Sequence, residues 1–366
     1  MVDAKHAHLV LDDFLPYWLM IYFIGKLIGA YCFGKMSQSL SYFKIMRFIS
    51  FVYLAAAFLI LIILVRRQDF YSSYQTLYCV CFLTSLPFYV LSFLSAMYLF
   101  DRHPPSRHIL IGTSIIFALF TSRILFRMFM NAVPLEYLKF GCVFTALITS
   151  LSLFIYVYVE KHTVQASSHS KTIKKSSLSL VQKLNCAFIG TGWNLGFSYF
   201  SYFLAPYMKN IYVIDHYKIG GTSICLIAQM FGLFLAIPVY KKLGTLNTLT
   251  VSLCSMLVLG ISIPFIGLLK NFFSLLLCVL GFLSACCFVP ILTIFHQYYK
   301  SSKSLTLCWV AVGGAISTLI FGIVLHFTNS NGFTFGGMIV FIVCVLLTLI
   351  GVKVTQLNYQ HKIRTS

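Results

Sequence analysis

The sequence predicts an all-α fold, a polytopic transmembrane helical bundle of about 11 membrane-spanning helices in two halves. The main observation is composition: of 366 residues, 59% are hydrophobic and 10% are charged, too few charges to cover a soluble protein of this length. The second is that the apolar residues fall into runs of about 20, the length that crosses a bilayer as a helix. These observations exclude a soluble enzyme, a disordered chain and a fibrous protein.

The apolar runs can be placed in order along the chain, with ends defined to within a few residues. Asn, Gly and Ser dilute the sixth and seventh runs, and the others are nearly continuous. Residues 1–13 are polar, with neither a basic start nor a small-residue cleavage site, so no cleavable signal is expected. The runs are 14–36, 45–65, 76–100, 108–130, 138–159, 184–208, 219–240, 247–269, 272–296, 305–327 and 333–355.

The basic residues predict the orientation. When the connection after the first run is placed in the cytoplasm, 17 of the 27 Lys and Arg residues fall on that side and 7 on the other. Because cytoplasmic loops are enriched in Lys and Arg, the N-terminus is predicted outside and the C-terminus in the cytoplasm. The basic residues come in ones and twos between apolar runs, so the net charge of +19 does not indicate nucleic-acid binding.

The longest polar interruption predicts the division of the chain. Residues 160–183 are rich in Ser and Lys and lack apolar periodicity, which is typical of a flexible cytoplasmic linker. The linker separates an N-terminal half, residues 1–159, from a C-terminal half, residues 184–366. Two helical halves joined in this way are the layout of transporters built from repeated bundles.

The first run and the loop after it resemble a known motif. Residues 25–46, GKLIGAYCFGKMSQSLSYFKIM, are similar to the second helix and following loop of the major facilitator superfamily, with the pattern G-x-L-x-D-R-x-G-R-R/K. Gly34 takes the first glycine and Lys44 keeps one basic residue. The sequence departs from the pattern at Gln38, which occupies the Asp position, and at Tyr42, which occupies an Arg position.

Two further stretches extend this resemblance. Residues 236–249, AIPVYKKLGTLNTL, are a weaker echo of the same loop in the second half and keep Gly244. Residues 98–114, YLFDRHPPSRHILIGTS, are similar to the exit of the family's fourth helix, where Asp101 and Arg107 fall on a carboxylate and an arginine position.

A third stretch points to a branch of the family. Residues 198–221, SYFSYFLAPYMKNIYVIDHYKIGG, resemble the seventh helix of the proline/betaine-type metabolite:proton symporters. The resemblance makes residues 14–36 the counterpart of the second helix, so that the counterpart of the first helix is missing from this sequence. The family's first, fourth, seventh and tenth helices line its solute cavity, and three counterparts are expected at 76–100, 184–208 and 272–296.

The resemblance implies a secondary transporter that moves a small solute, with or without a coupling ion, by alternating access. A monomer in the inner membrane of a bacterium, in contact with the lipid bilayer and without a cofactor, is expected. An alternative is a vestigial or non-transporting membrane protein derived from such a carrier, which the eroded loop motifs favour. Conformational gating at the cytoplasmic face is assigned to Gly34, Gln38, Lys44, Asp101, Arg107 and Gly244.

Four residues are candidates for solute binding. Lys26 and Arg123 lie inside apolar runs, where a charge costs about 2.5–3.5 kcal/mol on insertion scales and is a functional candidate by default. Either could attract an anionic solute, and either could instead snorkel to the membrane surface. Lys26 could also simply seal a contact between two helices. Tyr199 and Tyr202 belong to an aromatic cluster that could stack on a solute or, alternatively, face lipid.

The remaining sequence features argue against other chemistry. All eight Asp and Glu residues lie at the ends of runs or in loops, so no deep carboxylate supports proton coupling. His8 and Asp13 form the H-x₄-D pattern of lipid acyltransferases, but the Glu-Gly motif that accompanies it is absent, so an enzyme is not expected. The 12 cysteines include no C-x-x-C, and neither a zinc site nor a disulfide framework is predicted.

Overall fold

The computed structural model describes residues 4–66, 70–87, 89–132, 147–148, 151, 155, 178–194, 217–262, 273–298, 303–327 and 333–365. Throughout these ranges the chain is helical apart from short turns, which confirms the all-α prediction. The long helices are α1 (Ala4–Met36), α2 (Tyr42–Arg66), α3 (Phe70–Ser85), α4 (Ser95–Arg102), α5 (Pro105–Ala132), α6 (Leu180–Thr191), α7 (Tyr217–Leu243), α8 (Thr245–Ser262), α9 (Phe273–Tyr298), α10 (Lys303–Phe327) and α11 (Phe333–Thr365).

The helices coincide with the predicted apolar runs, but two extend well beyond them: α1 begins at Ala4, ten residues before the run at 14–36, and α11 continues to Thr365, ten residues after the run at 333–355. The third run is interrupted, because α3 and α4 are joined by turn residues and a five-residue π-helical segment, Val90–Leu94. The run at 138–159 lies almost entirely outside the described residues, and residues 195–208 and 160–177 lie wholly outside them, so the division of the chain into two halves stays a prediction. The end of the predicted linker is described, and α6 begins there at Leu180, four residues before the predicted boundary. Among the described helices, four contain segments long and apolar enough to cross a membrane: Tyr42–Leu59, Thr245–Ser262, Leu275–Ile294 and Gly336–Asn358.

Local sequence explains where several helices begin and end. Pro105 opens α5, at the first helical position where its missing N–H costs nothing. Ser179 and Gln182 form a capping box at the start of α6, with each side chain accepting from the other's backbone N–H. Gly244 separates α7 from α8 with φ +78, a left-handed conformation that glycine adopts without steric cost.

The helices pack as two groups that meet along a long interface. In the first group α3 packs against α1 and α2, and α4 packs against α5. In the second, α9 packs against α7 and α8, while α6 packs against α10 and α11. Contacts between the groups are made by α1 with α10 and by α5 with α7 and α9. This arrangement positions the candidate site where the two groups face each other.

Candidate functional site

A close contact between α1 and α10 joins the two helix groups at the predicted cytoplasmic end. Gly34 lies against Cys308 so tightly that a Cβ built on the glycine would overlap the Sγ and Cβ of that cysteine. The Cys308 thiol donates a hydrogen bond to the Ala30 carbonyl of α1, at 3.1 Å. Small residues on both helices therefore allow a backbone-to-side-chain contact between the groups.

A buried aromatic cluster also crosses between the groups, near the middle of the helices. The ring centroids of Phe93 and Trp193 lie 4.5 Å apart, and those of Trp193 and Phe288 lie 5.3 Å apart. All three side chains are buried, and Tyr89 stacks on Phe93 with a centroid separation of 6.2 Å. We call Phe93, Trp193 and Phe288 the aromatic cluster. Its members come from the three runs, 76–100, 184–208 and 272–296, that the sequence predicts to line a solute cavity.

Irregular helix geometry places each ring of the aromatic cluster. Phe93 lies within the π-helical segment Val90–Leu94, and Ser95 Oγ donates to the Val90 carbonyl at 2.9 Å. Trp193 lies in a short 3₁₀ segment, Gly192–Asn194, directly after α6. Phe288 precedes Pro290, which stands inside α9. Such departures from α-helical geometry recur at functional sites in helical proteins.

Lys26 is buried in the middle of α1. Its side chain is 5% exposed, and its Nζ lies 4.4 Å from the centroid of the Tyr22 ring and 5.1 Å from that of Phe23. The neighbouring Gly25 packs against the Phe82 carbonyl and ring of α3, which brings the two helices close together here. Cation–π contact stabilises a desolvated ammonium by about 2 kcal/mol. Lys26 therefore does not snorkel to the membrane surface.

The other predicted binding residues lie largely beyond what the structure describes. Arg123 falls on α5, but its side chain is outside the described part of the chain. Tyr199 and Tyr202 lie outside the described residues. The solute-binding role of these residues, and of Lys26, stays a prediction.

The predicted gating residues gather at the ends of helices. Gly34 is buried in the contact with Cys308, and Gln38 lies in the turn after α1, where its N–H donates to the Lys35 carbonyl at 3.1 Å. Asp101 is exposed at the end of α4, and Lys44 is exposed in α2. The remaining two are exposed as well: Arg107 in the first turn of α5 and Gly244 between α7 and α8. Of these residues, the structure places Gly34 in the interface between the helix groups.

An aromatic stack lies at the start of α2, at a position where the motif that residues 25–46 resemble has an arginine. Tyr42 stacks on Tyr98 with a centroid separation of 4.2 Å, and the Arg102 guanidinium lies 4.4 Å from the centre of the Tyr98 ring. The Tyr42 hydroxyl is 3.0 Å from Ser95 Oγ. Tyr42 occupies the motif's arginine position, so a ring stack holds the start of α2 to α4 there.

The second helix group is held together by buried polar bonds that stay within the group. Asn185 of α6 donates to Thr355 Oγ1 of α11 at 2.9 Å. Thr191 Oγ1 donates to the Cys344 carbonyl at 3.1 Å and lies 3.0 Å from Thr348 Oγ1. These bonds tie α6 to α11 in the second group.

Sequence reasoning missed the aromatic cluster and Cys308, although some signals were present. Trp193 is one of only 3 tryptophans and stands between a glycine and an asparagine, a combination that disfavours a plain lipid-facing helix. Sequence reasoning also missed Gln229, although it is an isolated amide within the apolar residues 219–240. The partner of Gly34 depends on a contact between residues 274 positions apart, which no local pattern shows.

The fold is that of transporters of the major facilitator superfamily. A bacterial homologue of the iron transporter ferroportin in an outward-facing state matches with a TM-score of 0.73 and 13% identity, covering 93% of this chain and 89% of that chain. The proton:xylose symporter XylE bound to 6-bromo-6-deoxy-D-glucose matches with a TM-score of 0.71 and 12% identity, covering 94% and 86%. FucP in the outward conformation matches with a TM-score of 0.62 and 14% identity, covering 97% and 91%.

The other comparisons give no closer relative. No protein-family model matches the chain, and no curated protein matches it. The proline/betaine-type branch stays a prediction, since most of the residues that suggested it lie outside the described ranges. Within the described residues there is no group of three or more His, Cys, Asp or Glu side chains that could hold a metal ion.

Proposed function

We propose that this protein is a secondary transporter that moves a small solute across the bacterial inner membrane by alternating access. The observation that carries the proposal is the close contact of Gly34 with Cys308, which lies at one end of the interface between the two helix groups. The small side chains of Gly34 and Cys308 let α1 and α10 approach closely here, and we expect the two helices to part at this point without unfolding either group. That is the geometry required for two halves that rock around a central site.

The path between the groups is closed in two layers. The outer layer is the contact of Gly34 and Ala30 with Cys308 at the predicted cytoplasmic end. The inner layer is the aromatic cluster, in which Phe93 of the first group packs on Trp193 of the second. For a solute to pass, both layers must open. Release toward the cytoplasm therefore requires α1 to separate from α10 and Phe93 to separate from Trp193.

The remaining roles follow from position. Gln38, Lys44, Asp101, Arg107 and Gly244 act at the helix ends that border the outer layer. Lys26 supplies a buried positive charge to the first group, together with Arg123, while Tyr199 and Tyr202 supply aromatic surface to the second. The N-terminus lies outside and the C-terminus in the cytoplasm, as the 17-to-7 distribution of basic residues predicts. The protein acts as a monomer and moves the solute with or without a coupling ion.

The proposal is tested by uptake into proteoliposomes. Purified protein is reconstituted and offered radiolabelled mannitol, betaine, proline and lactate in turn, with protein-free liposomes as the blank. Uptake of at least one solute above the blank is expected, and Gly34→Leu, which prevents closure of the outer layer, is expected to reduce it at least tenfold. Failure of every solute to enter would contradict transport and favour the non-transporting alternative.

A further inference from the structure

We infer that the Gln229 amide and the aromatic cluster form a binding site for an uncharged solute that carries several hydroxyl groups. The inference deepens the proposed function and rests on it for its biological meaning. Its first element is an amide in an unusual position. Gln229 lies near the centre of α7 and is 0% exposed.

The hydrogen bonds of Gln229 fix which way its amide points. The Nε2 donates to Ser284 Oγ at 2.8 Å, and the Ser284 hydroxyl in turn donates to the Gly281 carbonyl at 2.8 Å. Since the serine proton is already used, Ser284 can offer Gln229 only a lone pair, and the NH₂ group must face it. The Oε1 atom is buried and accepts no hydrogen bond from the described residues.

Close helix packing holds this amide in place. Gly232 follows Gln229 by three residues and lies on the same face of α7. A Cβ on Gly232 would lie 3.0 Å from the Ala285 Cβ and 3.1 Å from the Phe282 Cα, so α7 and α9 touch here almost backbone to backbone. The acceptor is therefore rigidly placed, and leaving it unbonded costs about 1–3 kcal/mol.

The amide is linked to the aromatic cluster through Ser284, which it contacts on α9. Ser284 and Phe288 are four residues apart on α9, so they share one face of that helix, with Ser284 one turn farther from the predicted cytoplasmic end. Phe288 packs on Trp193, which packs on Phe93 across the two groups. A solute that lies on the side of the aromatic cluster facing away from the predicted cytoplasmic end would thus contact the rings and, through a hydroxyl group, the Gln229 acceptor.

The chemistry of the two elements selects the solute. A fixed carbonyl oxygen requires a hydrogen-bond donor, which a hydroxyl or an ammonium can supply. An ammonium would also require a counter-charge, and all eight Asp and Glu residues lie at span ends or in loops. Aromatic rings accommodate the C–H face of a polyol. A neutral polyhydroxyl compound satisfies both elements, whereas betaine, which has no hydrogen-bond donor, does not.

The test measures binding of erythritol, xylitol and mannitol to the purified full-length protein by isothermal titration calorimetry. At least one polyol is expected to bind, and Gln229→Leu is expected to weaken its binding about tenfold, the equivalent of one lost hydrogen bond. Thr293→Val is the control, because this buried threonine of α9 already donates to the carbonyls of its own helix. It is expected to leave polyol binding unchanged.

Two further results separate a binding site from a structural glutamine. Gln229→Leu removes an unbonded acceptor, which stabilises the protein, together with the bond to Ser284, whose loss destabilises it. Because the two effects oppose each other, the melting temperature without solute is expected to stay within a few degrees of wild type, while the rise caused by the polyol is lost. Absence of binding by all three polyols, equal binding in Gln229→Leu, or betaine binding as tightly as the polyols would each overturn the inference. Polyol binding without uptake would instead contradict the proposed transport and leave the site standing. Uptake of another solute at a rate that Gln229→Leu does not change would support the proposed transport and contradict the binding site.

Discussion

Adding a single methyl group at Gly34 should open the outer layer without unfolding the protein. In Gly34→Ala the new Cβ would overlap both the Sγ and the Cβ of Cys308 and would lie 3.6 Å from its Cα. Rotation of the thiol relieves one of these overlaps and leaves the other, so α1 and α10 must move apart. Overpacking of this kind costs about 1–3 kcal/mol. Because the cost falls on the closed arrangement alone, the fraction of open molecules should rise about 5- to 150-fold.

The Cys308 thiol reports this opening directly. It is 1% exposed in the closed arrangement and bonded to Ala30 of the opposite group, so it reacts with N-ethylmaleimide only after the groups part. The labelling rate in membranes, measured peptide by peptide with mass spectrometry, should rise in Gly34→Ala in proportion to the open fraction. Cys344 serves as the internal control, because it is 2% exposed and lies within the second helix group.

A matched variant distinguishes opening from general loosening. Gly351 of α11 packs inside the second group, and a Cβ there would lie 2.7 Å from the Ile189 Cγ1 of α6. Gly351→Ala should therefore speed labelling of Cys344 more than labelling of Cys308, the reverse of Gly34→Ala. The reasoning is refuted if Gly34→Ala leaves the Cys308 rate at the wild-type value, or if it raises both rates equally.

Three other predictions concern the aromatic cluster, Lys26 and the bond between Asn185 and Thr355. In the Gly34→Ala background, where the outer layer opens more often, Trp193→Ala removes the ring that bridges Phe93 and Phe288, so liposomes containing the double variant should leak carboxyfluorescein faster than liposomes containing Gly34→Ala alone; equal leak rates would argue against a closed inner layer. Lys26→Met keeps the apolar stem and removes the charge, so solute uptake should fall at least tenfold while the protein still purifies as a folded monomer; full uptake would remove Lys26 from the site. Asn185→Ala breaks the bond to Thr355 and should lower the free energy of unfolding, measured by chemical denaturation, by about 1–3 kcal/mol. The ratio of the Cys308 and Cys344 labelling rates should stay at the wild-type value.

The membrane fold could be predicted from the sequence because its causes are local. Runs of about 20 apolar residues and the uneven distribution of basic residues act within one helix or one loop at a time. Gly34 could be singled out from the sequence as well, since the glycine and its neighbours resemble a family motif, and its gating role stays a prediction. Its buried partner was not, because Cys308 is distant in sequence and looks like any cysteine in an apolar run.

The aromatic cluster and Gln229 were harder to predict than the fold. Two of the cluster's rings lie in segments that depart from the regular periodicity of an α-helix. The π-helical segment Val90–Leu94 shifts the phase of the helix by about a third of a turn, so the direction of Phe93 does not follow from an α-helical pattern. Trp193 lies in a 3₁₀ segment with the same consequence. Gln229 was visible as an isolated amide in an apolar run, but its unbonded oxygen becomes evident only once the position of Ser284 is known.

The central claim is that the two helix groups separate at the contact between α1 and α10 while each group stays intact. The most direct test is the ratio of the N-ethylmaleimide labelling rates of Cys308 and Cys344 in the wild-type protein in membranes. Transient opening predicts that Cys308, which lies between the groups, is labelled several times faster than Cys344, which is equally buried within one group. Equal rates for the two thiols would show that Cys308 is exposed only when the whole protein unfolds, and would contradict the account.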